Sequence, residues 1–128
     1  MNRKILLVDD DKEDLMLMEH YLKKAGFNNL SSVSSGEEAV EYVKKEKPFI
    51  IIIDTILSGM DGFETCQALR AFCGGETKII ILTGNIGAVD VDKAKECGAT
   101  ECTVKGNNYL HLVGEVQKIC LKLKQEER

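Results

Sequence analysis

The sequence has few of the features that divide a chain into separate parts. It contains one proline and no tryptophan, and no linker-like, repeated or low-complexity segment interrupts it. Its 128 residues are 44% hydrophobic, which suits one globular domain with a modest core. We therefore expect a single domain over residues 1–128.

Blocks of like charge and long apolar runs are also missing. The formal net charge is 17 − 21 = −4, so the chain lacks the basic footprint that binding to nucleic acid or to an anionic membrane requires. The N-terminal region shows neither the apolar core and cleavage site of a signal peptide nor a membrane span. We expect a cytoplasmic protein with no direct nucleic-acid binding and no membrane insertion.

The cysteines lack the pattern of a disulfide framework or a zinc site. Their number is odd, and they lack the paired close spacing of zinc ligands. Free cysteine is among the most buried residue types, so we expect reduced thiols that mostly fill the core. The five are Cys66, Cys73, Cys97, Cys102 and Cys120.

Apolar runs of strand length alternate five times with segments of helical period. This alternation indicates βαβ units around a parallel sheet. The predicted strands cover residues 4–9, 29–34, 49–54, 78–83 and 101–105. Three of these strands are continuous apolar runs, which is typical of strands covered by helices on both faces. Right-handed crossovers then predict an open, doubly wound α/β sheet between two layers of helices.

Polar residues stand at the ends of four of these strands. They are Asp9 and Asp10, Asp54, Thr83, and Lys105. The ligand site of an open parallel sheet lies beyond the carboxyl ends of its strands, so these side chains should converge. Carboxylates brought together there repel one another unless a hard cation such as Mg²⁺ lies among them. Lys105 and Thr83 would suit the oxygens of a phosphoryl group.

Other polar residues near these positions have simpler explanations. An aspartate after a strand is often a helix N-cap, and we predict that Asp11 and Asp14 cap and charge the first turn of helix 1. Asp61 is expected to begin helix 3. His20 and His111 fall in predicted helices away from the sheet edge, so we interpret both as surface or packing residues.

Four segments together resemble the receiver (CheY-like) domain of the two-component response-regulator family, over nearly the whole chain. They are "ILLVDDD", "IIIIDTILSGMDGFE", "IIILTG" and "TVKG". The resemblance implies a flavodoxin-like (βα)5 fold with strand order 2-1-3-4-5. The 128 residues leave no apparent room for an effector domain beside it, so we expect a single receiver domain with no effector domain.

The resemblance further implies that Asp54 accepts a phosphoryl group from a histidine kinase or a phosphotransfer protein. The domain would catalyse its own phosphorylation and dephosphorylation without being a conventional enzyme. The implied Mg²⁺ ligands are Asp9, Asp10, Asp54 and the backbone carbonyl of Ile56. Thr83 and Lys105 would bind the phosphoryl oxygens and switch the face formed by helix 4, strand 5 and helix 5, which binds a downstream protein.

Three positions depart from the usual pattern of the family. Ser58 and Gly106 stand where the family usually has proline, and Cys102 stands where it usually has tyrosine or phenylalanine. The first two departures concern loop geometry. The third concerns the aromatic residue that usually takes part in switching.

Other classes of protein fit the sequence less well. A haloacid-dehalogenase-like phosphatase needs a second acid two residues after its nucleophile, and Ile56 stands there. A flavodoxin-type binder needs a phosphate loop after strand 1, where "DDDKED" would repel phosphate. A phosphorylation-independent interaction module on the same fold stays open as the alternative, because a fold does not fix a function.

Overall fold

The computed structural model describes residues 3–84 and 87–126 and contains five strands that alternate with five helices. The strands are β1 (Ile5–Val8), β2 (Leu30–Val33), β3 (Ile50–Asp54), β4 (Lys78–Thr83) and β5 (Glu101–Val104). The helices are α1 (Lys12–Lys24), α2 (Gly36–Lys45), α3 (Gly62–Cys73), α4 (Ala88–Glu96) and α5 (Leu110–Glu126). Each predicted strand is present, and its ends agree with the prediction to within one residue.

The strands form one parallel sheet in the order β2-β1-β3-β4-β5. The predicted doubly wound fold and its strand order are therefore confirmed. β3 is the central strand, and all four of its isoleucines are fully buried. Because all five strands run in the same direction, their carboxyl ends lie along one edge of the sheet.

The core consists of two layers, one on each face of the sheet. Alternate strand residues point to opposite faces, so neighbouring isoleucines of β3 enter different layers. One layer packs under α1 and α5, and the other packs under α2, α3 and α4. Burial of each large aliphatic side chain contributes roughly 1.5–3 kcal/mol. Both faces of the sheet are thus covered, as the continuous apolar runs predict.

Local capping signals set the helix boundaries. Asp11 is the N-cap of α1 and accepts hydrogen bonds from the backbone of Glu13 and Asp14. Asp61 is the N-cap of α3 and forms a capping box with Glu64. Both predicted helix starts are confirmed.

The cysteines behave as the sequence predicts. All five lie within the described residues and are free thiols. Four are buried, and Cys102 is partly buried. None of the helices in the described ranges is both long and apolar enough to cross a membrane.

Candidate functional site

Asp54 is the last residue of β3 and lies at the rim of the sheet with only 5% of its surface exposed. The start of α3 packs directly against its backbone. A Cβ atom at Gly62 would lie 2.3 Å from the Asp54 carbonyl oxygen, so only glycine fits there. The Gly62 N–H also donates to the Thr55 carbonyl oxygen at 3.1 Å. The buried strand and this close approach together fix the position of the Asp54 carboxylate.

Asp9 follows β1 and is fully buried. Its Oδ1 accepts a hydrogen bond from the Asp11 backbone N–H at 2.9 Å. Its Oδ2 has no hydrogen-bond partner within residues 3–84 and 87–126. Burial raises the pKa of Asp9 to about 6, and the nearby charge of Asp54 adds to the increase. A buried carboxylate with an unused oxygen is available to a cation.

Lys105 follows β5 and brings a positive charge to the same edge. Its Nζ lies 2.9 Å from Asp14 Oδ2, 3.1 Å from Asp54 Oδ2 and 3.8 Å from Asp9 Oδ2. Burial alone would lower the pKa of Lys105, but the carboxylates of Asp14 and Asp54 outweigh burial and raise it. Lys105 therefore carries a full positive charge at neutral pH.

Thr83 is the last residue of β4 and is 6% exposed. Its carbonyl oxygen accepts a hydrogen bond from the Lys105 N–H at 2.8 Å, which extends the pairing of β4 and β5 by one residue. Thr83 and Lys105 are thereby held side by side at the rim. Asn85, which the family resemblance places beside the phosphoryl group together with Ile56, lies outside the described residues.

Asp14 belongs to this site, although from the sequence we expected it only to cap and charge the first turn of α1. It lies in the first turn of α1, as predicted, but its carboxylate also pairs with Lys105. Carboxylate oxygens of Asp9, Asp14 and Asp54 all lie within 4.8 Å of one another. One feature of the sequence could have indicated this role. Asp14 lies about one helical turn after Asp10, on a helix that starts at the carboxyl edge of the sheet.

Asp10 has a different environment from Asp9. Its side chain is exposed, and its Oδ2 accepts hydrogen bonds from the Ser58 backbone N–H at 3.3 Å and from the Ser58 hydroxyl at 3.1 Å. The carboxylate thus holds the loop after β3. The role of Asp10 as a metal ligand stays a prediction.

Two of the departures from the family pattern have a structural reason. Ser58 donates its backbone N–H to Asp10, and proline has no N–H to donate. Gly106 has a φ of 55°, which the ring of proline forbids. At the third departure, Cys102 is partly buried and packs against the core layer under α2, α3 and α4. Its side chain fills far less space there than an aromatic ring would.

The residues at this edge fit a hard divalent cation. Three carboxylates and one ammonium carry a formal charge of −3 + 1 = −2. Mg²⁺ prefers oxygen ligands, and the buried Asp9 Oδ2 offers one that no donor within the described ranges occupies. The three carboxylates are therefore suited to bind a cation, and the Lys105 ammonium is suited to bind an anion beside that cation.

The fold and the site define an α/β protein of the receiver type, with an acidic pocket and a lysine at the carboxyl edge of a 2-1-3-4-5 sheet. Comparison with known families supports this class. The sequence profile of the response regulator receiver domain matches residues 5–117. The chain belongs to the response regulator receiver domain family.

A curated relative and two solved structures show the same likeness. The transcriptional regulatory protein YvrH of Bacillus subtilis (strain 168) is 32% identical over 116 residues, which are 91% of this chain and 48% of YvrH. The chain thus spans about half the length of that relative.

The structure of the chemotaxis protein CheY4 of Vibrio cholerae is similar with a TM-score of 0.84 and 29% identity, over 92% of this chain and 98% of that one. The beryllofluoride-activated receiver domain of DrrB, a Thermotoga maritima protein, has a TM-score of 0.79 and 28% identity, over 92% and 97%. The chain is therefore a receiver domain of a two-component response regulator.

Proposed function

We propose that this receiver domain is a Mg²⁺-dependent phosphoacceptor in a phosphorelay, and that Asp54 receives the phosphoryl group. The observation that carries the proposal is the position of Asp54. Its carboxylate ends a buried central strand, lies 3.1 Å from the Lys105 ammonium and shares a pocket with the buried Asp9. Membership of the receiver family supports the same role.

The transfer requires one new bond and one broken bond. An Asp54 carboxylate oxygen attacks the phosphorus of a phosphohistidine on a histidine kinase or a phosphotransfer protein. The new O–P bond replaces the P–N bond, whose electron pair stays on the imidazole, and the imidazole then takes up a proton. Hydrolysis later returns Asp54 and releases inorganic phosphate. The chain thereby promotes its own phosphorylation and dephosphorylation mainly by positioning charges.

Each residue of the site has a defined task in this proposal. Lys105 binds a phosphoryl oxygen and neutralises part of its charge, and the Thr83 hydroxyl donates a hydrogen bond to another oxygen. The residues that would hold Mg²⁺ are Asp9, Asp10, Asp54 and the backbone carbonyl of Ile56. When bound, Mg²⁺ supplies the positive charge that lets a phosphoryl group approach these carboxylates.

The output of the domain is proposed to be binding to a downstream protein. Phosphorylation would draw Thr83 and Lys105 towards the phosphoryl group and change the face that α4, β5 and α5 form. Residues 1–128 are proposed to act as one receiver domain in this step. A cytoplasmic location belongs to the proposal, because five free thiols suit a reducing compartment.

Beryllofluoride, which binds a carboxylate as a phosphoryl group does, tests the proposal. We expect amide NMR signals around Asp54 and in residues 83–95 to shift when beryllofluoride and Mg²⁺ are added together. Mg²⁺ alone should shift only the residues of the pocket. Asp54→Asn is the matched control and should abolish the response to beryllofluoride. A wild-type spectrum that ignores beryllofluoride would contradict the proposal and favour a phosphorylation-independent interaction module.

A further inference from the structure

The Lys105 ammonium has its shortest contact with Asp14, a residue to which the proposed phosphotransfer assigns no task. Lys105 Nζ lies 2.9 Å from Asp14 Oδ2, closer than to either Asp54 or Asp9. Asp14 is on α1, whereas Lys105 follows β5, which is the outermost strand on one side of the sheet. The contact therefore joins two residues that are 91 positions apart in sequence.

Two residues besides Lys105 interact with Asp14. Its backbone N–H donates to the side chain of Asp11, the N-cap of α1, at 3.3 Å. Burial raises the pKa of Tyr109 to about 12, and the charge of the nearby Asp14 carboxylate adds to the increase. Tyr109 is 5% exposed and packs in the core layer under α1 and α5. The N-cap of α1 thus holds the Asp14 backbone at the rim, and Lys105 donates to the Asp14 carboxylate at 2.9 Å.

The loop that follows Lys105 is tied to α1 as well. Asn108 and Tyr109 both have positive φ angles, of 65° and 52°, which few residues other than glycine adopt. The Tyr21 hydroxyl of α1 donates to Asn108 Oδ1 at 3.0 Å. Side chains of α1 therefore hold both Lys105 and the loop after it.

We propose that Asp14 is a positioning residue for phosphotransfer: its carboxylate holds the Lys105 ammonium beside Asp54 before the phosphoryl group arrives. The inference rests on the proposed function of Asp54. A lysine ammonium has three N–H donors, so Lys105 can bind Asp14 and a phosphoryl oxygen at the same time. Without Asp14, the flexible lysine chain loses this orientation, so the ammonium is less often in place to meet the incoming phosphoryl oxygens.

The test compares Asp14→Ala, Asp14→Asn and wild type with acetyl phosphate as the phosphodonor, each at a saturating Mg²⁺ concentration. For Asp14→Ala we expect the maximal phosphorylation rate to fall about fivefold or more, with little change in the half-saturating donor concentration. Asp14→Asn has the same shape and keeps an oxygen that can accept from Lys105, so it should lose less. Glu13→Ala is the matched control, because Glu13 is an exposed carboxylate in the same turn and is not a member of the acidic cluster.

A second measurement does not depend on activity. The ¹⁵N signal of the Lys105 ammonium should be visible in wild type and in Glu13→Ala, where the group is held, and should be lost through fast exchange with water in Asp14→Ala. If Asp14→Ala does not fold, Asp14→Leu, which also lacks an acceptor for Lys105, replaces it in both measurements. Unchanged rates and an unchanged ammonium signal would overturn the role of Asp14. A wild-type protein that takes no phosphoryl group would instead overturn the proposed function.

Discussion

Replacement of Asp9 by asparagine should stabilise the metal-free protein at neutral pH. Asp9 is fully buried, and burial together with the charge of Asp54 raises its pKa from 3.8 to about 6. Asparagine keeps the oxygen that accepts from the Asp11 N–H. Its amide group also replaces the carboxylate oxygen for which the described residues supply no donor. The substitution therefore removes a buried charge and keeps the local hydrogen bond.

The size of the effect follows from the pKa. An increase from 3.8 to about 6 corresponds to ~3 kcal/mol, since one pKa unit is 1.36 kcal/mol. The folded state binds the Asp9 proton more tightly than the unfolded state does. Ionisation of Asp9 therefore costs stability as the pH rises from about 4 to about 6. Asp9→Asn should be more stable than wild type by up to ~3 kcal/mol above about pH 6, and the difference should disappear below about pH 4.

Urea unfolding in EDTA between pH 4 and pH 8 measures this difference. Asp10→Asn is the matched control, because Asp10 is the exposed neighbour of Asp9, and its effect should stay within ~0.5 kcal/mol. Saturating Mg²⁺ should stabilise wild type more than it stabilises Asp9→Asn. An Asp9→Asn variant that is no more stable than wild type at pH 7.5 without metal would show that the buried charge of Asp9 does not destabilise the fold.

Three further predictions concern the metal, the phosphoryl lifetime and the switch. Because protons compete with Mg²⁺ for Asp9, isothermal titration should show Mg²⁺ affinity about tenfold weaker at pH 5 than at pH 7. Ile56 has an apolar side chain that cannot orient water, so Ile56→Asn should speed loss of the phosphoryl group by roughly two- to tenfold in a phosphate-release assay. Cys102 is small and partly buried, so Cys102→Ala should leave the beryllofluoride-induced amide shifts of residues 83–95 nearly unchanged.

Each of these predictions has an outcome that would count against it. A Mg²⁺ affinity that is the same at pH 5 and pH 7 would contradict the prediction that protons compete with Mg²⁺ for Asp9 in this range. A dephosphorylation rate that stays the same or falls in Ile56→Asn would remove the role given to position 56. If Cys102→Ala abolished the response of residues 83–95 while Asp54 was still phosphorylated, Cys102 would be part of the switch.

The fold could be predicted because its signals are local and agree with one another. The run of isoleucines in β3 has the length of a strand, and its apolar character predicts that this strand is buried. N-cap residues such as Asp11 and Asp61 mark where helices start. Once the sheet is parallel, the meeting of Asp54 and Lys105 follows from topology alone. These inferences need no knowledge of side-chain conformation.

The contacts of Asp14 and Asp10 could not be predicted in the same way. The Asp14–Lys105 pair depends on how α1 packs over the sheet relative to the end of β5, which the period of the helix does not fix. Asp10 and Asp9 are adjacent in sequence, yet one side chain points to the Ser58 loop and the other into the pocket. The directions of these side chains depend on the packing of the complete fold.

The most direct test of the proposed function is whether Asp54 carries a phosphoryl group. The protein would be incubated with acetyl phosphate and Mg²⁺, and its intact mass recorded at neutral pH before the acyl phosphate hydrolyses. Wild type should gain the mass of one phosphoryl group, the gain should require Mg²⁺, and Asp54→Asn should gain nothing. No mass gain in wild type with either acetyl phosphate or a phosphorylated histidine kinase, or an equal gain in Asp54→Asn, would contradict the role of Asp54 as phosphoacceptor.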